Sequence, residues 1–150
     1  MDQILELVCG LKDKNDKYAY QCLKKLESES LISDKVYPYF DLFAELSDHP
    51  NSYFRTRGII LIAANAKWDR ENKIDGIIDQ LLKHVEDEKP ITARQCIKVL
   101  PLVAQYKPEL ANDISMALRN ANTQMFKDSM QPLVNKDIKE ALNRIDGIKR

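Results

Sequence analysis

Hydrophobic residues between positions 74 and 85 recur with the 3.6-residue period of an α-helix. They place an apolar stripe along one side of the segment, and charged residues occupy the opposite side. The stripe consists of Ile74, Ile77, Ile78, Leu81, Leu82 and Val85, and the charged side of Asp75, Asp79, Lys83 and Glu86. The pattern predicts an amphipathic helix whose charged side faces water.

The stretch FRTRGIILIAANAKWD, residues 54–69, has a different pattern. Nearly every position from Ile59 to Ala66 is apolar, which is typical of a helix covered on most sides by other helices. The small residues Gly58, Ala63 and Ala64 would then mark places where helix axes approach closely. We therefore predict that this is the most buried helix of the chain.

Two helices recur together along the chain, about every 37 residues. The first-helix segments are YQCLKKL (20–26), TRGIILI (56–62) and RQCIKVL (94–100), and the second-helix segments are FDLF (40–43), IDQL (78–81) and ISMA (114–117). A fourth helix pair is expected between about residues 123 and 145. Recurring helix pairs predict an α-helical repeat protein in which each pair packs on the next.

Prolines and polar turns set the predicted helix boundaries. Helices are expected near residues 3–11, 16–28, 34–47, 52–66, 72–87, 91–105, 108–121, 124–134 and 136–146, with a kink at Pro101. The scarcity of glycine and of valine–threonine alternation argues against strands. The predicted fold class is all-α, in a single domain over residues 1–150.

Charge and motifs restrict the function. The 23 basic residues balance the 23 acidic ones. This balance argues against nucleic acid as the partner, because proteins that bind nucleic acid usually carry a basic excess. Motifs for nucleotide binding, serine hydrolysis and zinc proteolysis are missing. No apolar run is long enough to span a membrane. We expect a non-enzymatic, cytoplasmic protein without a cofactor.

The histidines and cysteines suggest no metal or catalytic site. His49 and His84 lack a third ligand at the spacing of metal sites. Cys9, Cys22 and Cys96 form no CxxC pair, so neither a zinc site nor a disulfide framework is expected. Cys22 and Cys96 align with the small residue of the middle repeat, and we interpret them as inert packing residues.

The pattern Phe54-Arg55-x-x-Gly58-x-x-Leu61-Ile62 resembles the first helix of a HEAT repeat, in which an apolar residue and an arginine precede a small residue and an aliphatic pair. The segments RTRGIILIAANAKWD and DEKPITARQCIK are similar to a family of short bacterial HEAT-repeat proteins without an established activity. The resemblance implies a right-handed α-solenoid of about four helix pairs, an armadillo-type superhelix. It also implies that the second helices line a concave face that binds a protein or peptide.

Arg55, Arg57 and Arg94 stand near the starts of first helices and have two interpretations. They could clamp an anion, because the backbone N–H groups of a helix start also favour negative charge. Alternatively, as in HEAT repeats, they reach an acid or a carbonyl at the turn between repeats, where Asp48 and Asp87 are well placed. The sequence leaves both interpretations open.

Trp68 follows the apolar helix directly. It is either an anchor for a partner, since aromatic residues dominate binding hot spots, or a lid over the end of the buried helix. Trp68 with Asp69 also resembles the tryptophan and aspartate of HEAT-fold DNA glycosylases, which bind damaged DNA in a basic concavity. DNA binding or alkylation repair is therefore the alternative function.

Charged residues occupy matching positions on the outward side of the second helices. One row consists of Glu45, Lys83 and Arg119, and the other of Asp41, Asp79 and Ser115. Side by side on a concave face, the rows would change from acidic to basic. They are either a solvated surface with weak ion pairs or a groove for a protein or peptide partner, whose identity the pattern does not specify.

Overall fold

The structure, a computed structural model, describes residues 2–149. Over these residues the chain forms α-helices and 3₁₀ turns and no strand, which confirms the predicted all-α fold class. The α-helices are α1 (Gln3–Gly10), α2 (Asp16–Ile32), α3 (Phe40–Ser47), α4 (Ser52–Ala64), α5 (Lys73–Leu82), α6 (Pro90–Tyr106), α7 (Ala111–Arg119) and α8 (Gln131–Lys149). The 3₁₀ turns are Tyr37–Tyr39, Ala66–Trp68, Lys83–Glu86 and Pro108–Leu110. No helix in this part of the chain has both the length and the apolar content needed to cross a bilayer.

Asparagine side chains cap the N-termini of α2 and α4. The side chain of Asn15 accepts a hydrogen bond from the backbone N–H of Tyr18 at the start of α2. At the start of α4, Asn51 accepts hydrogen bonds from the backbone N–H groups of Tyr53 and Phe54. These caps satisfy N–H groups that the first turn of a helix leaves without an intrahelical partner.

The predicted helices agree with the structure to within a few residues as far as α7, once the 3₁₀ turns are counted. The prediction for the C-terminal part is wrong. In place of helices at 124–134 and 136–146, turns fill residues 124–130 and α8 runs unbroken from Gln131 to Lys149. Pro132 lies in the first turn of α8, where its missing N–H is harmless, whereas a helix over 124–134 would need that N–H in its interior.

Another proline, Pro101, lies well inside α6, and the helix continues through it. Proline removes one intrahelical hydrogen bond, and its ring crowds the carbonyl one turn earlier. The kink expected at this position stays a prediction.

Helix contacts divide the chain into two compact units, residues 1–73 and residues 74–150. In the first unit α3 packs along α4, and α2 contacts both α1 and α4. The core of this unit includes Leu26, Phe40, Phe43, Ile59 and Ile62, all buried. In this unit the shorter helices α1 and α3 therefore pack against the longer helices α2 and α4.

The second unit has its own core around α6. This helix contacts α7, α8 and the 3₁₀ turn Lys83–Glu86, and α7 also contacts α8. Its buried residues include Leu81, Ile97, Leu100, Ile114 and Ile145. The division into two compact units does not test the single domain over residues 1–150, which stays a prediction.

The apolar stretch forms α4, which is buried on most sides as its sequence predicts. Ile59, Leu61, Ile62 and Ala63 are all 0% exposed. At Gly58 the backbone of α3 comes so close that an added Cβ would lie 2.6 Å from the carbonyl oxygen of Phe43. Backbone atoms cannot turn aside as a side chain can, so α3 and α4 can pack this closely only around a glycine.

We predict that Gly58→Ala destabilises the protein by about 1–3 kcal/mol, because the new methyl group forces α3 and α4 apart. This loss should outweigh the gain in helix propensity, which is at most about 1 kcal/mol. Gly76→Ala in α5 is the matched control, since nothing lies within 4 Å of its added Cβ. It should stabilise the protein by about 0.5–1 kcal/mol. Urea unfolding followed by circular dichroism measures both, and an unchanged free energy of unfolding for Gly58→Ala would contradict the close approach.

Candidate functional site

The two arginines at the start of α4 bond to the protein itself. Arg57 is buried, and its guanidinium donates hydrogen bonds to the carbonyl of Leu11 at 2.8 Å and to the carboxylate of Asp16 at 3.2 Å. Arg55 is also buried, and it donates to the carbonyl oxygens of His49 and Pro50, at 3.1 and 2.9 Å. These contacts join α4 to the turn before it and to the junction of α1 and α2.

Arg94 has an equivalent role in the second unit. Its Nε donates to Asp137 Oδ2 at 2.6 Å, which ties α6 to α8. Asp137 is 5% exposed. The hydrogen bond that Arg94 donates to this carboxylate raises the pKa of its guanidinium, and the negative charge of Asp137 adds to the effect. The acids that pair with Arg57 and Arg94 are therefore Asp16 and Asp137 and not residues of the nearest turns.

Trp68 lies over the end of a helix, but this helix is α2. Its indole Nε1 donates to the carbonyl of Ser30 at 2.7 Å, and the neighbouring Lys67 donates to that of Leu31 at 2.8 Å. The last carbonyls of a helix lack intrahelical partners and attract positive charge. Lys67 Nζ also lies 4.8 Å from the centre of the Trp68 ring. Both side chains thus complete the C-terminus of α2, and Trp68 itself is half-buried.

Asp69, the other residue on which the DNA-binding alternative depends, is buried. Its Oδ1 accepts hydrogen bonds from the Tyr37 hydroxyl at 2.6 Å and from the backbone N–H of Lys73 at 2.9 Å. Burial raises the pKa of the Tyr37 hydroxyl, and the hydrogen bond to Asp69 raises it further. The carboxylate therefore serves internal contacts, and the DNA-binding alternative gains no support from it.

The histidines and cysteines are dispersed. His84 Nδ1 lies 2.7 Å from Asp87 Oδ2 in a buried pair. Cys96 is buried, and burial, followed by the negative charge of Asp87, raises the pKa of its thiol, which disfavours the reactive thiolate. Cys22 is buried as well, whereas Cys9 is exposed. Among residues 2–149 no group of three or more His, Cys, Asp or Glu side chains is placed to hold a metal ion.

The two row residues of the first unit, Asp41 and Glu45, are exposed on α3. Asp41 accepts a hydrogen bond from Lys73 Nζ at 3.0 Å, and this bond raises the pKa of the lysine. The Asp41 side chain is 82% exposed, so water screens the ion pair and its contribution to stability is small.

The row residues of the second unit are Asp79 and Lys83, one helical turn apart, and Arg119 on α7. All three are exposed, and Arg119 Nη2 lies 4.0 Å from Asp146. Ser115 departs from the prediction. It is 1% exposed, because the inward side of α7 consists of Ala111, Ile114, Ser115 and Leu118, and it cannot belong to an outward row.

Asp79 and Lys83 line a groove of about 360 Å³ between α5 with its 3₁₀ turn and α7. The groove is completed by Leu82, Val85, Glu86, Ala117 and Asn120. Its floor is apolar and its rim carries charges of both signs. In the described part of the chain, no ion pair involves Asp79 or Lys83, so both charges are available to a partner.

The prediction from sequence missed Glu86, Ala117 and Asn120 as groove residues. Glu86 follows Lys83 by three residues on the same charged side, and that periodicity was a usable signal. Ala117 and Asn120 carried no such signal, because their place in the groove depends on how α7 packs.

No protein-family model, curated protein or solved structure matches this chain. The likeness to HEAT-repeat proteins therefore stays a prediction from sequence. The groove must be interpreted from its own residues.

We predict that Arg57→Met destabilises the protein by about 1–3 kcal/mol, because the buried carbonyl of Leu11 loses its charged donor while the apolar stem is retained. Arg70→Met is the control, since the ion pair of Arg70 with Asp34 is exposed on both sides and should be worth less than about 1 kcal/mol. Urea unfolding measures both variants. Equal losses would mean that Arg57 is not a structural tie.

Proposed function

We propose that this protein is a non-enzymatic module that binds a protein or peptide through the exposed charged side of its second helices. The observation that carries the proposal is the groove at Asp79 and Lys83. Both side chains are exposed on the rim of a groove with an apolar floor. Exposed charges of this kind add little to stability, and charges of both signs around an apolar floor are the arrangement by which a surface orients and selects a charged partner.

The proposal also takes the helix pairs as the repeats of a right-handed, HEAT-like α-solenoid. Contacts between residues 36 positions apart support this interpretation, because they join equivalent places of successive repeats. They are the bonds of Lys67 to Leu31, of Arg70 to Asp34 and of Asn122 to Glu86. Each bond lies within one of the two units.

The charge of the groove favours a protein over a nucleic acid. Asp79 and Glu86 flank Lys83 on the rim, and carboxylates at these positions would repel phosphates. Three free cysteines fit a reducing compartment, and we expect the protein to act in the cytoplasm. The proposal assigns no catalytic residue and no cofactor.

The test is a charge reversal, Asp79→Lys with Lys83→Glu, which preserves the net charge. The tagged wild type and variant are used to purify bound proteins from cells that express the native chain, and recovery is quantified by mass spectrometry. We predict that, at low salt, the variant recovers at least about tenfold less of the protein that the wild type binds. High salt should weaken wild-type binding, because exposed charges are screened over about 8–10 Å.

The matched control is Lys136→Glu with Glu140→Lys on α8. These residues have the same spacing and are exposed, and their side-chain charges lie 4.0 Å apart. Control recovery should equal that of the wild type, and the free energies of unfolding of all three proteins, measured with urea, should agree to within about 0.5 kcal/mol. Equal recovery by the folded groove variant would contradict the proposal.

A further inference from the structure

The rim of the groove carries three charges of alternating sign in a line. Asp79, Lys83 and Glu86 are all exposed, and they are separated by four and then three residues. Lys83 and Glu86 belong to a 3₁₀ turn, in which residues three apart lie directly above one another. The change from α-helix to 3₁₀ turn therefore keeps the three side chains on the same side.

The spacing of these charges follows from helix geometry. With a rise of about 1.5 Å per residue in the α-helix and about 2 Å in the 3₁₀ turn, neighbouring charges are separated by about 6 Å along the axis. A second helix that lies beside this line presents side chains at similar spacings of about 6 and 4.5 Å along its axis, from positions i, i+4 and i+7. An acid–base–acid line is thus complemented by a base–acid–base line on such a helix.

The walls of the groove also favour a helical occupant. They are formed by α5, its 3₁₀ turn and α7, whose backbone groups mostly bond within their own helices. An extended peptide would find few partners for its backbone N–H and C=O groups, whereas a helix satisfies its own. Leu82 and Ala117 on the floor are partly exposed and offer an apolar strip to the adjoining side of an amphipathic helix.

We infer that the groove between α5 and α7 binds an amphipathic helix of a protein partner that presents a basic, an acidic and a basic residue at i, i+4 and i+7 toward Asp79, Lys83 and Glu86. This inference rests on the proposed function and specifies the partner's chemistry. The order of charges selects the partner, because a helix with another order meets like charges in the groove.

The experiment compares two synthetic helices of the same composition. One presents Lys, Glu and Lys at i, i+4 and i+7, and the other Glu, Lys and Lys, so that their net charges are equal and only the order differs. Each carries leucines on the adjoining strip. Binding to the full chain is measured by fluorescence anisotropy, against the wild type and the variant Asp79→Lys with Lys83→Glu.

The wild type should bind the Lys-Glu-Lys helix at least about fivefold more tightly than the Glu-Lys-Lys helix at low salt, and high salt should reduce this ratio. The variant should lose this preference, because the charges along its rim become base–acid–acid and the Lys-Glu-Lys helix then meets like charges at positions 79 and 83. The α8 reversal Lys136→Glu with Glu140→Lys should behave as the wild type. Since the two peptides already discriminate on the unmodified protein, the result does not depend on a variant that must fold.

A third peptide places Lys, Glu and Lys at alternating positions, with prolines that keep it extended. Tighter binding of this peptide would overturn the helical occupant and leave the proposed function intact. Equal binding of the two helices, or no binding while partner recovery still depends on Asp79 and Lys83, would also overturn this inference alone. If the reversal of Asp79 and Lys83 leaves partner recovery unchanged, the proposed function itself is contradicted.

Discussion

The first unit depends on the close approach of α3 and α4 at Gly58. There an added Cβ would lie 2.6 Å from the carbonyl oxygen of Phe43 and 2.7 Å from the backbone nitrogen of Ser47. Because α4 is fixed against α3 at this distance, the residues along it are fixed as well. Arg57, directly before Gly58, reaches Leu11 and Asp16. The 3₁₀ turn Ala66–Trp68 follows the C-terminal end of α4 and completes the C-terminus of α2.

Polar residues in this protein divide into two groups with different roles. The side chains of Arg57, Asp69 and Arg94 form hydrogen bonds with other groups of their own unit. The loss of one partner would leave a buried polar group unsatisfied. Asp79 and Lys83 are exposed beside an apolar floor and form no ion pair within residues 2–149. The first group explains why the helices hold their positions. We propose that the second group selects a partner by charge, since exposed charges contribute little to stability.

The sequence predicted what short-range periodicity determines. The charged side of α5 and the burial of Ile59 and Ile62 were both evident, because an α-helix repeats its environment every three to four residues. Contacts over longer separations were not evident: Arg57 pairs with Asp16, 41 residues away, and nothing local marks that acid. Repeat alignment assigns Ser115 to the outward row, but the packing of α7 turns it inward. The sequence pattern predicts a turn after Pro132, whereas in the structure the turn precedes this proline and α8 is unbroken.

The central claim is that the groove between α5 and α7 is where the partner makes contact, and photo-crosslinking in living cells tests it most directly. A photoreactive amino acid is introduced at Asn120, an exposed groove residue, and, as a control, at the exposed Lys98 of α6. The account predicts a discrete crosslinked adduct from position 120 that is absent from position 98 and disappears when Asp79 and Lys83 are reversed. An adduct from position 98 with none from position 120, or an adduct at 120 that survives the reversal, would contradict it.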